Sequence, residues 1–241
     1  MSTRFDCGDS AQRSAGLVEA VAALRNGELA VIPTDTVYGL AADAFSPAAV
    51  AALQAARGGT RSAPPTVLVG SVRTAAALTE SLGAFGQDLI DEFWPGALTL
   101  VFRASPTLVW DLGDTLGTVA VRMPLHPLAL EVLRQTGPLA VSSASLAGAP
   151  AATTAARAEA QLGSAVAVYL DAGRCAGTVT STILDLTGTV PRMLRAGAIG
   201  VDDIRKVVPV IDLPSADSAD EVPVKAAEPH PLAGEDAGTG S

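Results

Sequence analysis

Short unbroken apolar runs alternate along this chain with stretches whose apolar residues recur every three or four positions. Leu17, Val18, Val21 and Leu24 have helical spacing, so residues 11–25 are expected to form a helix that Gly27 stops. Residues 29–32 read as a buried strand, which Pro33 ends because proline has no N–H for a sheet ladder. Pro47 opens a second helix with Val50 and Leu53 on its inner face, and residues 57–65 form a loop rich in glycine and proline. Further strands are expected at 67–69, 98–102, 118–121, 139–141, 166–170, 181–185 and 192–194. Further helices are expected at 74–81, 87–93, 126–135, 153–161 (with Thr153 or Thr154 as its cap) and 201–207. The two kinds of element mix without strict alternation. The expected class is therefore α+β with a mixed sheet, rather than a Rossmann or barrel repeat.

Composition sharpens this picture. Of 241 residues, 49% are hydrophobic and only 4% aromatic, so the core must be built from Ala, Val and Leu, which suits buried strands and close helix contacts. The net charge of -9 is uneven: from Asp212 onward seven acidic residues face one lysine, a balance of -6 that leaves -3 on the body. A weakly acidic body argues against general nucleic-acid binding, although a local basic cleft remains compatible with it. Residues 10–210 are expected to form the folded domain, and 211–241, rich in Pro, Ser, Asp and Gly, a disordered acidic tail. Cys7 and Cys175 lack C-x-x-C spacing; two reduced thiols are expected, with one long-range disulfide as the alternative. The first residues lack the apolar core of a signal peptide. The uncharged stretch 135–156 is too rich in Ser, Thr, Gly and Pro for a membrane span. A cytoplasmic protein with no membrane partner is expected.

Polar side chains gather at strand ends. After residues 29–32, the segment 33–44 places Thr34, Asp35, Thr36 and Tyr38 on one loop, with Gly39 for close backbone approach. Such a loop either binds a ligand or caps a following helix, and spacing alone favours neither. Phosphate-binding glycine loops, dinucleotide fingerprints and G-x-S-x-G elbows are absent from the sequence, and His126 and His230 are its only histidines. A serine–histidine triad or a histidine metal cluster is thereby disfavoured. The remaining candidates are arginines with hydroxyls. Arg57, Arg61, Arg122 and Arg195 could supply bidentate donors to an anionic substrate. Arg122 ends a buried strand, where a guanidinium requires an anion, either a ligand or a carboxylate such as Asp43 or Asp185. Ser142, Ser143 and Ser145 follow another strand end and could cradle phosphate or simply cap a turn; Ser181 and Thr182 open a further strand.

The order of residues decides what spacing leaves open. Pro33-Thr-Asp-Thr-Val-Tyr-Gly-Leu40, Phe93-Trp-Pro-Gly-Ala-Leu-Thr99, Thr118-Val-Ala-Val-Arg-Met-Pro124, Ser143-Ala-Ser-Leu-Ala-Gly148, Ser181-Thr-Ile-Leu-Asp185 and Leu194-Arg-Ala-Gly-Ala-Ile199 follow one another. This series resembles the YrdC-like family, the threonylcarbamoyl-AMP synthases. The resemblance implies a twisted mixed β-sheet with helices around it and a large concave cleft. It implies a nucleotidyltransferase that makes threonylcarbamoyl-AMP and pyrophosphate from L-threonine, bicarbonate and ATP, for threonylcarbamoyladenosine modification of tRNA. By the same resemblance Thr36, Arg122 and Ser181 would hold L-threonine. Arg57, Thr118, Ser143, Ser145 and Arg195 would contact ATP. No covalent catalytic residue and no protein metal site are implied; Mg2+ would come with ATP. RNA in the cleft and the tRNA threonylcarbamoyl-transfer machinery are the implied partners. The second domain of longer family members is expected to be absent.

Two stretches depart from the family pattern. Its Lys-x-Arg is Arg57-Gly58-Gly59 here, with Arg61 two residues on as the expected substitute. Its S-A-N-x-S-G has Ser145 for the asparagine and Ala147 for the second serine. Losing one charge-assisted contact to a transition state costs ~2–4 kcal/mol. The alternatives are thus a catalytically impaired paralogue that binds nucleotide or RNA, and a carbamoyl-adenylating enzyme with another acceptor.

Overall fold

The computed structural model describes residues 2–212. The tail expected to be disordered lies outside the described residues, apart from its first two positions. Ile211 bridges to Arg192, and Asp212 pairs with Arg205.

The described chain runs β1 (Thr3–Asp6), α1 (Ser10–Arg25), β2 (Ala30–Ile32), β3 (Gly39–Asp43), α2 (Pro47–Arg57), β4 (Thr66–Leu68), α3 (Val72–Leu78), α4 (Gly83–Phe93), β5 (Leu98–Arg103), β6 (Thr118–Arg122), α5 (Pro127–Thr136), β7 (Leu139–Ser143), α6 (Ala155–Leu162), β8 (Val168–Asp171), β9 (Thr182–Asp185), β10 (Arg192–Arg195) and α7 (Val201–Arg205). Local chemistry sets the helix ends. Asp9, Ser46, Ser71 and Thr154 accept from backbone N–H groups of the first turns of α1, α2, α3 and α6. Pro47 occupies the first turn of α2, and Gly58 ends it in the left-handed region at φ 65°.

All ten described strands join one mixed sheet in the order β1-β8-β2-β3-β7-β4-β6-β5-β9-β10, which bears out the mixed α/β reading. Two strands differ from expectation. β1 lies upstream of residue 10 and pairs in parallel with β8. β3 lies inside the segment read as loop: the chain turns back at residues 33–38 and pairs antiparallel with β2 through Gly39, Leu40 and Ala41 and with β7 along its whole length. Its sequence, Gly-Leu-Ala-Ala-Asp, has little intrinsic strand preference; two neighbouring ladders impose the conformation.

Strand alternation sorts the core into layers. Ala30, Ile32, Ala41, Leu68, Leu139, Val141, Val168 and Leu170 share one face and pack under α1 and α5. On the opposite face Val31, Leu40, Ala42 and Tyr169 meet α2 and α6. Val67, Leu100, Val121, Ala140 and Leu184 on that same opposite face meet α3, α4 and α7. Helices α1 and α5 cover the first face from β8 across to β7 and Leu68 of β4. Its continuation toward β6, β5 and β9 is left concave, and the candidate site lies there.

Candidate active site

The concave region holds a cavity of about 60 Å3 that opens to solvent. Register explains its lining. Leu68 stands opposite Arg122 in the β4–β6 pair, and Thr66 opposite Val141 in the β4–β7 pair. Leu100 pairs with Val121, so Thr99 shares the face of Arg122. Thr99 pairs with Ile183, so Ser181, two residues earlier, faces the same way. The turn 33–38 then folds over this face and adds Thr34 and Thr36.

Arg122 is 6% exposed, and its charge is met from three sides. Its Nε donates to the Gly96 carbonyl at 2.8 Å, one terminal nitrogen to Thr36 Oγ1 at 3.0 Å, and the other to Asp35 Oδ1 at 2.7 Å. The same Asp35 oxygen accepts from the Leu125 N–H at 2.9 Å. Asp35 is thus the carboxylate partner, in place of the expected Asp43 or Asp185. Asp43 accepts instead from the Phe45 N–H, and Asp185 from Thr187. Burial lowers the Arg122 pKa and Asp35 opposes that shift. Three of five guanidinium N–H groups are committed, which leaves two for a ligand. Thr34 Oγ1 lies 3.0 Å from Thr36 Oγ1 and donates to the Val37 carbonyl, so the turn's own hydroxyls hold Thr36 in place.

Arg195 faces the same space from β10. Its Nε and one terminal nitrogen donate to the Ser181 carbonyl at 3.0 and 2.9 Å, and that nitrogen also reaches Ser181 Oγ at 3.1 Å. Ser181 Oγ lies 2.8 Å from Thr99 Oγ1. Burial lowers the Arg195 pKa, and the positive charge of Arg122 lowers it further. Among the described residues no carboxylate pairs with Arg195. Two guanidiniums against one carboxylate give the cavity a positive balance suited to an anion. Gly197 makes this geometry possible, since a Cβ there would lie 2.4 Å from the Ser181 carbonyl carbon.

Of the residues singled out from sequence, Thr34, Thr36, Tyr38, Gly39, Arg122, Ser142, Ser143, Ser181 and Arg195 line the cavity. Arg57 is half-buried nearby and donates from Nε to the Ser145 carbonyl at 3.0 Å, tying α2 to the loop after β7. Ser145 is buried and lies outside the lining. Thr118 donates to the Thr115 carbonyl at 2.7 Å and supports the turn before β6. Arg61 is 56% exposed and pairs with Asp111 and Asp114 away from the cavity. Thr66 and Thr99 also line the cavity; Thr66 lies in no motif, and Thr99 ends the Phe93–Thr99 motif without having been singled out as a site residue. Their signal is a threonine within a buried apolar strand, which becomes meaningful only once register is known. The Trp94–Gly96 segment also gains a role, because Gly96 supplies the carbonyl that Arg122 binds, and Trp94 Nε1 donates to the Leu98 carbonyl at 2.7 Å. Both cysteines are free thiols.

Comparison with known proteins agrees with this architecture. The Sua5/YciO/YrdC family model, described as "Telomere recombination", matches residues 22–197. A Mycobacterium tuberculosis protein, provisionally named a threonylcarbamoyl-AMP synthase, is 53% identical over 210 residues, covering 87% of this chain and 97% of that protein. The threonylcarbamoyl-AMP synthase of Bacillus subtilis is 37% identical over 194 residues, 80% of this chain but only 56% of that longer protein. Among solved structures, Pyrococcus abyssi Sua5 complexed with L-threonine superposes with a TM-score of 0.80 at 30% identity, over 88% of this chain and 62% of that one. Escherichia coli YciO shares the fold, with a TM-score of 0.75 at 22% identity over 85% of this chain and all of that one. By sequence and by fold, the chain belongs to the Sua5/YciO/YrdC family.

Proposed function

We propose that this chain is a threonylcarbamoyl-AMP synthase, a nucleotidyltransferase that joins L-threonine, bicarbonate and ATP with release of pyrophosphate. One observation carries the reading: Arg122 and Arg195, 73 positions apart, converge with Thr36 and Ser181 on a single cavity of a family member. Relatives named for this activity support it over a nucleotide- or RNA-binding module without catalysis.

In this reading the two uncommitted N–H groups of Arg122 receive the threonine carboxylate, with Thr36 and Ser181 beside it. The uncommitted terminal nitrogen of Arg195 and the hydroxyl of Ser143 face the nucleotide phosphates. Arg57 and Ser145 act through the loop they tie together, and Thr118 through the turn before β6. Bicarbonate takes up a proton and loses water to give CO2, and the neutral threonine amine adds to it and releases a proton, forming a carbamate. A carbamate oxygen then attacks the α-phosphorus of ATP, and pyrophosphate leaves. Such a reaction requires alignment and neutralisation of phosphate charge rather than a protein nucleophile.

Mg2+ fits here as an ion carried by ATP. Among the described residues no three His, Cys, Asp or Glu gather, and Asp35 is committed to Arg122 and Leu125. Phosphate oxygens and water would form most of its shell. Two free thiols accord with a cytoplasmic site of action, and no described helix is long and apolar enough to cross a membrane. The product would pass to machinery that modifies tRNA. Purified protein given ATP, L-threonine and bicarbonate should release pyrophosphate only when threonine is present. Absence of release at high enzyme concentration rejects the proposal.

A further inference from the structure

We propose that Asp111 and Asp114 hold Arg61 in an off-position, and that the triphosphate of ATP takes their place and draws Arg61 to the cavity. This inference rests on the reading of the chain as an ATP-using enzyme. Arg61 sits in the middle of the loop 58–65, one end of which reaches the cavity while the other is tied to the loop that follows the lining residue Ser143. Thr66 lines the cavity directly, and Arg57 holds the carbonyl of Ser145, two residues beyond the lining Ser143. Arg61 is four residues from Arg57 and five from Thr66, so neither tether exceeds about 18 Å fully extended. Gly58, with φ 65° and open space where a Cβ would stand, and Gly59 form a hinge at one end.

In the structure Arg61 is committed elsewhere. Its two terminal nitrogens donate to the two Asp111 carboxylate oxygens at 2.9 and 2.8 Å, and its Nε lies 3.5 Å from Asp114. The Asp114 N–H donates to the Arg61 carbonyl at 2.8 Å, so the two loops are joined through their backbones as well, and within its own loop Asp111 accepts from the Gly113 N–H at 3.0 Å.

Two observations mark this arrangement as exchangeable. The side chains of Arg61, Asp111 and Asp114 are 56%, 43% and 56% exposed, so water already weakens the pairing, and a triphosphate offers more charge and more acceptor oxygens. Beneath the joined loops, Gln54 Nε2 is buried without any hydrogen-bond partner, 3.1 Å from where a Gly113 Cβ would lie. Parting the loops returns water to that donor. Charge, geometry and the unpartnered amide therefore favour the same movement.

The test compares wild-type protein, D111N/D114N, R61A and the triple variant by ATP titration, read by tryptophan fluorescence. Trp110 adjoins Asp111 and stacks on Phe45 with ring centroids 5.6 Å apart, so loop movement reaches its emission. Releasing the latch is expected to tighten ATP binding about threefold to fivefold, with threonine affinity unchanged. R61A weakens ATP binding, and in its background D111N/D114N has no effect. Hydrogen exchange on wild-type protein supplies a measurement that needs no variant: ATP should speed exchange across residues 109–117. Unchanged or weaker ATP binding in D111N/D114N overturns the inference. So does tightening that persists without Arg61, or exchange that ATP slows or leaves alone. ATP binding that follows the expected pattern without threonine-dependent pyrophosphate release would refute the synthase reading while leaving the latch intact.

Discussion

Replacing Asp35 by asparagine removes one charge from the cavity wall and changes almost nothing in volume. Asp35 lies 2.7 Å from the Arg122 terminal nitrogen, and the two side chains are 14% and 7% exposed. At an effective dielectric of 20 the gross attraction at that distance is about 6 kcal/mol, most of which offsets the desolvation of both ions. Asparagine keeps an acceptor for Arg122 and for the Leu125 N–H but leaves a buried cation without its counter-charge. The expected loss is about 3 kcal/mol of folding stability, or roughly 6–12 °C in Tm for a domain of this size. Arg122→Met should cost a similar amount by stranding Asp35. The double variant D35N/R122M should lose clearly less than the sum of the singles, because neither charge is then left alone. It should nevertheless fail to bind threonine, since the donors are gone. Chemical denaturation of the four proteins and calorimetric titration with threonine provide the readouts. Additive losses, or a D35N cost below about 1 kcal/mol, would show that water rather than Asp35 neutralises Arg122 and would remove the physical basis for a preorganised carboxylate site.

Thr36→Val deletes the hydroxyl that accepts from Arg122 and lies against Thr34. It should cost about 1–2 kcal/mol in denaturation and weaken threonine binding measured calorimetrically. Gly197→Ala forces a Cβ to 2.4 Å from the backbone of Ser181 and Thr182; it should lower the Tm and weaken both threonine and ATP binding in the same titrations. Burial pushes the Cys7 thiol up from 9.0 to about 11, with Asp171 and Asp6 adding to the rise and Arg13 opposing it. The folded protein holds this proton more tightly than the unfolded chain. The stabilisation is therefore fully present below pH 9 and is lost as pH rises toward 11. Cys7→Ala should accordingly lose less Tm between pH 8 and pH 10.5 than wild-type protein, as thermal denaturation would register.

Much of this architecture is written in spans of a few residues. Ser46-Pro47 starts a helix and Gly58 stops it because capping and left-handed backbone are properties of individual residues. Apolar runs mark the central strands because they are buried on both faces. The polar clusters at strand ends, with Thr36, Arg122, Ser143, Ser181 and Arg195 among them, are legible for the same reason. Other features have no local cause. β3 is a strand only because β2 and β7 flank it, and Thr66 and Thr99 face the cavity only because of their register with Val141 and Ile183. The partner of Arg122 is 87 positions away in sequence, and Asp111, the partner of Arg61, is 50 positions from it. Sequence alone determined the elements, the chemistry they carry and the family, because torsion preference, hydrophobic period and motif order are local. The tertiary structure decided which charge meets which, because electrostatic energy depends on distance in space and only the assembled sheet sets those distances.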